Sequence, residues 1–369
     1  MFRWAWKSLL TQKTGVFGSA AGVASAFILV IFFDAVFRGE STQIITYIEH
    51  TRPNIWVMQR GVSNMHMASS FLWDWKADKI ATLPGVKQVT PILYLNSVVN
   101  IGDQKALSYV VGLEPGSARA GPWEMEAGRS LPKPGEAIIP AVMATLADIG
   151  IGDTVSITDK SFKVVGLSKD TYSMANSITF VTFKDLEDIL SSTGTYSYLL
   201  VDTDEGVDAN ELSTRIMNDV EKINAMPHEE FIKSDYRMSM QMGLEIIFLM
   251  TVICSALATL IVGFTAYSQV MNKRRELAIA KALGMRNMSI VNSVIFQSVA
   301  ITSLGFLMAV IFALTIIPRI STLVPQVSLL VSPSAFIQIG LVALVVAIVG
   351  SLIPAYYVSR LDPTSAFHV

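Results

Sequence analysis

The chain has 369 residues, 51% of them hydrophobic and only 16% charged, with a formal net charge of −2 and a positive mean hydropathy. So little charge excludes a wholly water-soluble protein of this size, and part of the chain must lie in lipid. The near-neutral total says little about partners, and the only cysteine, Cys254, excludes an internal disulfide framework.

Residues 1–14, MFRWAWKSLLTQKT, have the pattern of a short amphipathic helix. Phe2, Trp6, Leu9 and Leu10 lie near one side, while Lys7 and Lys13 can reach lipid headgroups. Both membrane anchoring and contact with a cytoplasmic partner fit this pattern. An apolar run from Val16 to Phe37 follows, long enough to cross a bilayer, which takes about 20 residues in a helix. Ala24-Ser25-Ala26 imitates a signal-peptide cleavage site, but Phe27 to Phe33 carries the run past it, so a retained first span over 15–37 is expected.

Residues 38–241 are solvated, with 26 acidic against 18 basic side chains, and are enough to bury a core of their own. Strands are expected at IWVMQR near 55, VTPILYLNSVVNI near 89, ALSYVVGL near 106, DTVSIT near 153, FKVVGL near 162, SITFVTF near 177 and YSYLLVDT near 196. Helices are expected over Trp73–Leu83, Ala141–Asp148, Phe183–Leu190 and Asp208–Asn224, with turns at Leu83-Pro84-Gly85, Glu114-Pro115-Gly116 and Ile151-Gly152-Asp153. This predicts a mixed α+β domain of two lobes.

A helix-compatible pattern begins near Pro227 and passes Gly243 without a strong breaker. Glu229 to Leu283 is therefore expected as one helix or two nearly collinear pieces, projecting as a stalk. Three further apolar runs, Ile246–Val270, Ile290–Ile317 and Ala335–Val358, complete a set of four spans. The expected segments are a second span over 242–271, a coupling segment over 272–289, a third span over 290–317, an external connection over 318–334, a fourth span over 335–358 and a tail over 359–369.

Basic residues orient the spans. The first fourteen residues hold three basic side chains and no acid, and 272–289 hold Lys273, Arg274, Arg275, Lys281 and Arg286 against Glu276. Both segments are expected on the cytoplasmic side, with 38–241 outside. Small residues at four-residue spacing, such as Ala20 and Ala24, Gly22 and Ala26, or Ser255, Thr259 and Gly263, permit close helix approach within the subunit or to a second one.

Enzymatic chemistry finds little support. The histidines, His50, His66, His228 and His368, are scattered, and no HExxH, GxSxG or paired-cysteine spacing occurs. Without a GxxxxGK[ST] loop, the chain is not expected to bind or hydrolyse ATP in the P-loop manner. Asp34 and Glu245, near external helix ends, suit a headgroup-facing role better than a proton relay. Met58, Met65, His66, Met67, Met238, Met240 and Met242 are better explained by apolar packing than by metal ligation.

The dodecamer KRRELAIAKALG, 273–284, is the most informative stretch. As a helix it places Leu277, Ala280 and Gly284 on one side with Ile279 and Leu283 adjacent, and Lys273, Arg274, Glu276 and Lys281 around them; Gly284 is a natural stop. Such a ridge can insert into a groove of a cytoplasmic protein, although a charged loop that only sets topology has the same composition.

The run from Val270 through Gly284 resembles the segment after the second span in FtsX/MacB-type ABC permeases, with Arg275, Glu276, Lys281 and Gly284 matching. Pro354-Ala355 followed by Leu361-Asp362-Pro363 and Ala366 resembles the family's ending, and IATLPGVKQVTPI and GEAIIPAVMATLADIGIGDTVSITDKSFKVVGL resemble its extracytoplasmic domain. Ala278 and Ala280 depart from the Gly and basic residue of many relatives.

The resemblance implies four transmembrane α-helices, with a large extracytoplasmic α+β domain between the first and second. With no fused nucleotide-binding domain in this sequence, the chain is expected to be unlike MacB proper and closer to the separate-permease arrangement of FtsX, LolC/LolE or DevC. The implied site is an ATPase-coupling set, Lys273, Arg274, Arg275, Glu276, Leu277, Ala280, Lys281, Leu283, Gly284 and Met285. The implied partners are a cytoplasmic ABC ATPase, which would hold ATP and Mg, and a second permease copy, identical or homologous. Membrane lipids and a periplasmic membrane-fusion adaptor are compatible with this reading; no cofactor in this chain and no nucleic acid are expected. Export of a lipid, peptide or drug-like substrate across a bacterial inner membrane is the leading function, with control of a cell-wall hydrolase or inward sensing as alternatives.

Overall fold

A computed structural model describes residues 13–102, 104–114, 118–174 and 176–359. The expected amphipathic helix at 1–14 falls outside it except for its last two residues, and the Leu361-Asp362-Pro363 ending lies wholly outside. The chain divides into two units: one holds the apolar helices, the other residues 40–245 with 325–328.

Among the described residues, four helices are long and apolar enough to cross a membrane. These are α1 (Lys13–Thr51), α7 (Glu245–Asn272), α9 (Asn287–Leu323) and α10 (Pro333–Ser359). α1 continues well beyond residue 37, giving its first part, to Gly39, to the apolar unit and the remainder to the other. α9 runs past Pro318 to Leu323, so the connection to α10 is shorter than the expected 318–334.

Inside the apolar unit, Val23, Phe27 and Val30 of α1 meet Ala258 and Val262 of α7, Ala309 and Ala313 of α9, and Ala343 and Ala347 of α10. Small side chains allow close backbone approach where lipid supplies no hydrophobic drive for association. At Gly305 of α9 an added Cβ would come within 2.7 Å of the Ala20 carbonyl oxygen, and at Gly350 of α10 within 3.2 Å of the Gly263 Cα. The spacing of Ala20, Ala24 and Gly263 thus serves packing within the subunit. Gly305→Leu is expected to force α1 and α9 apart, costing several kcal/mol, about 3 or more. The check is thermal melting of the full chain in detergent, against Gly15→Leu, where the added Cβ would meet nothing.

The other unit is built around strand β3 (Val86–Ile101). Its first half pairs with β11 (Tyr198–Thr203), which pairs with β1 (Ile55–Gln59), which pairs with β12 (Ile223–Pro227), all antiparallel. Its second half pairs with β4 (Gln104–Leu113) and with β7 (Thr154–Ile157). From β4 the path runs through β9 (Ile178–Thr182), β6 (Glu136–Pro140) and β8 (Lys160–Ser168) to β7, and so returns to β3, closing six strands into a ring. A tenth strand, the short β5 (Met125–Gly128), edges β8, and β2 (Leu72–Trp73) pairs with β10 (Thr195–Tyr196) in a separate ladder. Where two lobes are expected, the strands form one ten-stranded sheet whose two arms share β3.

Strand faces alternate, so neighbouring residues enter different cores. Ile138 and Phe180 join one core with Trp56, Ile92, Tyr198 and Phe231, while Ala137, Ile139 and Val181 join another with Leu93, Val164 and Leu186. A third core backs β1 and β11 with Ile80 of α2 (Asp74–Ala81) and Leu212 and Ile216 of α5 (Ala209–Asp219). Both faces of β6 and β9 are covered, so burial runs along them without alternation. That pattern hid β6, which had not been expected.

Local chemistry sets the helix ends. α3 (Ala141–Ala147) ends at Asp148 in the left-handed conformation, with φ 54°. At the start of α4 (Phe183–Leu190), the Thr182 hydroxyl accepts from the Asp185 N–H at 3.1 Å and bonds the Asp185 carboxylate at 2.6 Å. α5 stops at Asp219 rather than at the expected Asn224, because Val220 is extended and Lys222 takes φ 58°, which turns the chain into β12.

Of the two alternatives expected for 229–283, a single helix does not form. α6 (His228–Ser239) gives way to a π-type turn, Met240–Leu244, in which Gly243 has φ 132°; α7 starts at Glu245, and a second break falls at Lys273. Residues 229–283 are therefore not one continuous helix, because Gly243 takes a backbone conformation that side-chain-bearing residues rarely adopt.

Candidate functional site

The coupling segment folds as α8 (Arg274–Ala282), set between α7 and α9. Lys273 leaves helical geometry with φ −103° and ψ 5°, while its N–H still bonds the Gln269 and Val270 carbonyls and its carbonyl accepts from Leu277 N–H at 3.0 Å. The far end is a complete Schellman closure. Gly284, with φ 89°, donates to the Lys281 carbonyl at 3.0 Å, and Met285 donates to the Ala280 carbonyl at 3.1 Å. Those bonds give Gly284 and Met285 a structural role as the stop of α8.

α8 has two unlike faces. Leu277 and Ala278 are buried, Leu277 packing with Val270 of α7, Ile290 and Val294 of α9 and Ala355 of α10. Lys273 is buried as well, and its Nζ donates to the Gln297 carbonyl oxygen, Oε1, at 3.2 Å. Two nearby helix positions, Gln269 and Ser293, carry buried side-chain atoms, Nε2 and Oγ, that have no hydrogen-bond partner.

The opposite face of α8 is open. Arg274, Arg275 and Glu276 are exposed, Ile279 is 42% exposed and Leu283 84%; Met288, in the first turn of α9, is 69% exposed. Ile279 and Leu283 lie four residues apart and so share a side of the helix, with Arg275 one turn before them. Ala280, Lys281 and Met285 are half-buried, and Gly284 is exposed. The expected ridge of Leu277, Ala280 and Gly284 is therefore corrected: Leu277 anchors α8 to its own bundle, and the outward apolar residues are Ile279 and Leu283. Lys273 is likewise an inward residue rather than part of the outward charge.

Other sequence candidates find partners elsewhere. Asp34 forms an ion pair with Arg38 at 2.7 Å, and Arg38 also donates to Gln338 at 2.9 Å, which ties α1 to α10 at that level of the bundle instead of leaving Asp34 to headgroups. His66 is buried, with Nδ1 2.7 Å from the Asp235 carboxylate, and Met65 packs in the core with Trp56 and Tyr198. No group of three or more His, Cys, Asp or Glu suited to a metal occurs among the described residues.

Two family models match the chain in tandem: the MacB-like periplasmic core domain over residues 16–218, and the FtsX-like permease C-terminal region over residues 248–363. The chain belongs to the FtsX/MacB-type ABC transporter permeases. As such it is a multi-pass membrane protein with an extracytoplasmic α+β domain after its first span, and a permease component of an ABC transporter.

This permease is 21% identical to an uncharacterized ABC transporter permease of Mycobacterium tuberculosis over 345 residues, 92% of each chain. It is 22% identical over 230 residues to another from Methanocaldococcus jannaschii, spanning 58% of this chain and 57% of that one. Among solved structures it is similar to the periplasmic region of MacB from Actinobacillus actinomycetemcomitans, with 12% identity and a TM-score of 0.39, over 52% of this chain and 96% of that one. It is also similar to the extracellular domain of the transporter YknZ from Gram-positive bacteria, with 17% identity and a TM-score of 0.37, over 47% and 98%.

Proposed function

We propose that the permease converts ATP hydrolysis by a separate cytoplasmic ATPase into movement of its extracytoplasmic domain, in a bacterial inner membrane, to export or extract a lipid, peptide or drug-like substrate. The observation that carries this reading is the division of α8. Its inner face is fastened to three spans by Leu277 and Lys273, while its outer face presents Ile279 and Leu283 beside Arg274, Arg275 and Glu276. A helix anchored on one side and apolar on the other transmits a push received by its outer face.

ABC ATPases act as pairs, so two permease chains, identical or homologous, stand on one ATPase dimer. ATP and Mg sit in that partner, and Arg274, Arg275, Glu276 and Lys281 set the orientation of docking. Two states of the assembly differ in which contacts α8 makes, as any population shift requires.

The test is purification of the tagged full chain in mild detergent, with identification of what is retained. An ATPase subunit should co-purify, and its hydrolysis rate should change when the permease is present. Retention of a cell-wall hydrolase or a sensor kinase without any effect of ATP on the extracytoplasmic domain would overturn the export reading.

A further inference from the structure

The segment from Phe71 to Asp78 has a feature the transport reading does not use. Phe71, Trp73 and Trp75 are 49%, 60% and 49% exposed, within five residues of one another. In extended chain, alternate side chains point to opposite faces. Leu72 accordingly is 1% exposed and enters the core behind β1, which turns Phe71 and Trp73 outward together. Trp75 follows in the first turn of α2 and is also outward, while Lys76 turns in. Three half-open aromatic side chains leave on the order of 300 Å² of ring surface in water, a patch of the size that marks an interaction site.

The surroundings are acidic. Asp74 and Asp78 are on the same segment and exposed. β2 pairs with β10, which sets Trp73 against Thr195, and Asp74 N–H donates to the Gly194 carbonyl at 3.0 Å. The Gly194 N–H in turn donates to Glu187 Oε1 at 3.2 Å, so Glu187 reaches the same turn. Burial first, and then the charges of Glu114, Asp74, Asp78 and Glu187, raise the Tyr196 phenol above its ordinary pKa. Of the lysines nearby, Lys76 is buried with its Nζ 5.7 Å from the Trp75 ring centroid, Lys79 donates to the Asp219 carbonyl, and Lys184 lies 3.8 Å from the Glu187 carboxylate.

We propose that Phe71, Trp73 and Trp75, with the exposed Asp74 and Asp78 beside them, form a docking surface for a peptide segment in which Lys or Arg alternates with bulky apolar residues. The rings take the apolar side chains and the faces of the cationic groups, and the carboxylates take the charges. A negatively charged lipid surface is disfavoured by the same carboxylates. The inference stands on the extracytoplasmic unit alone and does not depend on what α8 engages.

The experiment uses the full chain in detergent and three labelled synthetic peptides: alternating Lys and Leu, alternating Glu and Leu, and alternating Lys and Ser. Fluorescence anisotropy should show binding of the Lys/Leu peptide only, weakened several-fold by raised salt because the charges are exposed. Trp73→Ser with Trp75→Ser should weaken it ~10-fold or more. Asp74→Asn with Asp78→Asn should weaken it less and flatten its salt dependence. All these side chains are exposed, so melting temperatures should stay near the parent's, and a variant that melts early is replaced by Phe71→Ser. Equal binding of the Glu/Leu peptide, unchanged binding in the variants, or displacement of the Lys/Leu peptide by phosphatidylglycerol vesicles but not by phosphatidylcholine vesicles would each overturn the proposal, the last in favour of a membrane contact. Loss of ATPase co-purification would leave it untouched.

Discussion

Ile279→Asp together with Leu283→Asp is expected to release the permease from its ATPase while leaving the bundle folded. Both side chains face outward, so the charges introduced stay in water in the free chain and are desolvated only at the docked surface. Two apolar anchors of an interface typically carry about 2 kcal/mol or more each, so loss of both should weaken association by roughly a thousandfold. Leu277→Asp is the contrasting variant. That side chain is 2% exposed among Val270, Ile290, Val294 and Ala355, and a carboxylate there should destabilise the α8 end of the bundle by about 4 kcal/mol or more. Co-purification in mild detergent and melting of the isolated chain separate the two effects. A double variant that retained the ATPase at parental strength, with coupled hydrolysis, would remove α8 from the docking surface.

The second large effect is expected at Asp235. Its side chain is fully buried in α6 and accepts from Met65 N–H at 2.6 Å, from His66 N–H at 3.4 Å and contacts His66 Nδ1 at 2.7 Å. One carboxylate thus holds the segment after β1 against α6. Asp235→Ala strands a buried imidazole and two backbone donors, a loss of about 3–5 kcal/mol, since an abandoned partner keeps its full desolvation penalty. Asp235→Asn, which keeps an acceptor of the same shape, should recover part of it. Melting of the full chain followed by tryptophan fluorescence tests the order parent, Asn, Ala; an Ala variant as stable as the parent would show that the pair contributes nothing.

The long apolar runs made the four spans legible, since length and hydropathy alone decide such segments. Strands with alternating or β-branched patterns were legible too, as at IWVMQ and at the long β3. Less readable were elements whose identity comes from their neighbours. EAIIP shows no alternation because both its faces are covered, and INAMP becomes a strand because Lys222 reverses the chain before it. The direction in which Leu277 points could not be deduced from spacing. A helix with apolar residues on two sides gives one pattern whether it docks by one face or the other, and only the packing of α7, α9 and α10 decides. Gly243 was visible as a residue but not as a break, because glycine costs a helix interior only about 1 kcal/mol and the surrounding residues suit helix.

The strand that serves both arms of the sheet has a consequence for how the domain is lost. Val86 to Ile92 is laced to β11 and Leu93 to Ile101 to β4, so neither half can melt without pulling its neighbour's hydrogen bonds into water. Residues 40–245 should accordingly behave as a single cooperative block, with amide exchange in β3 occurring only on complete opening. A proteolytic nick between Ile92 and Leu93 would cripple two architectures at one stroke.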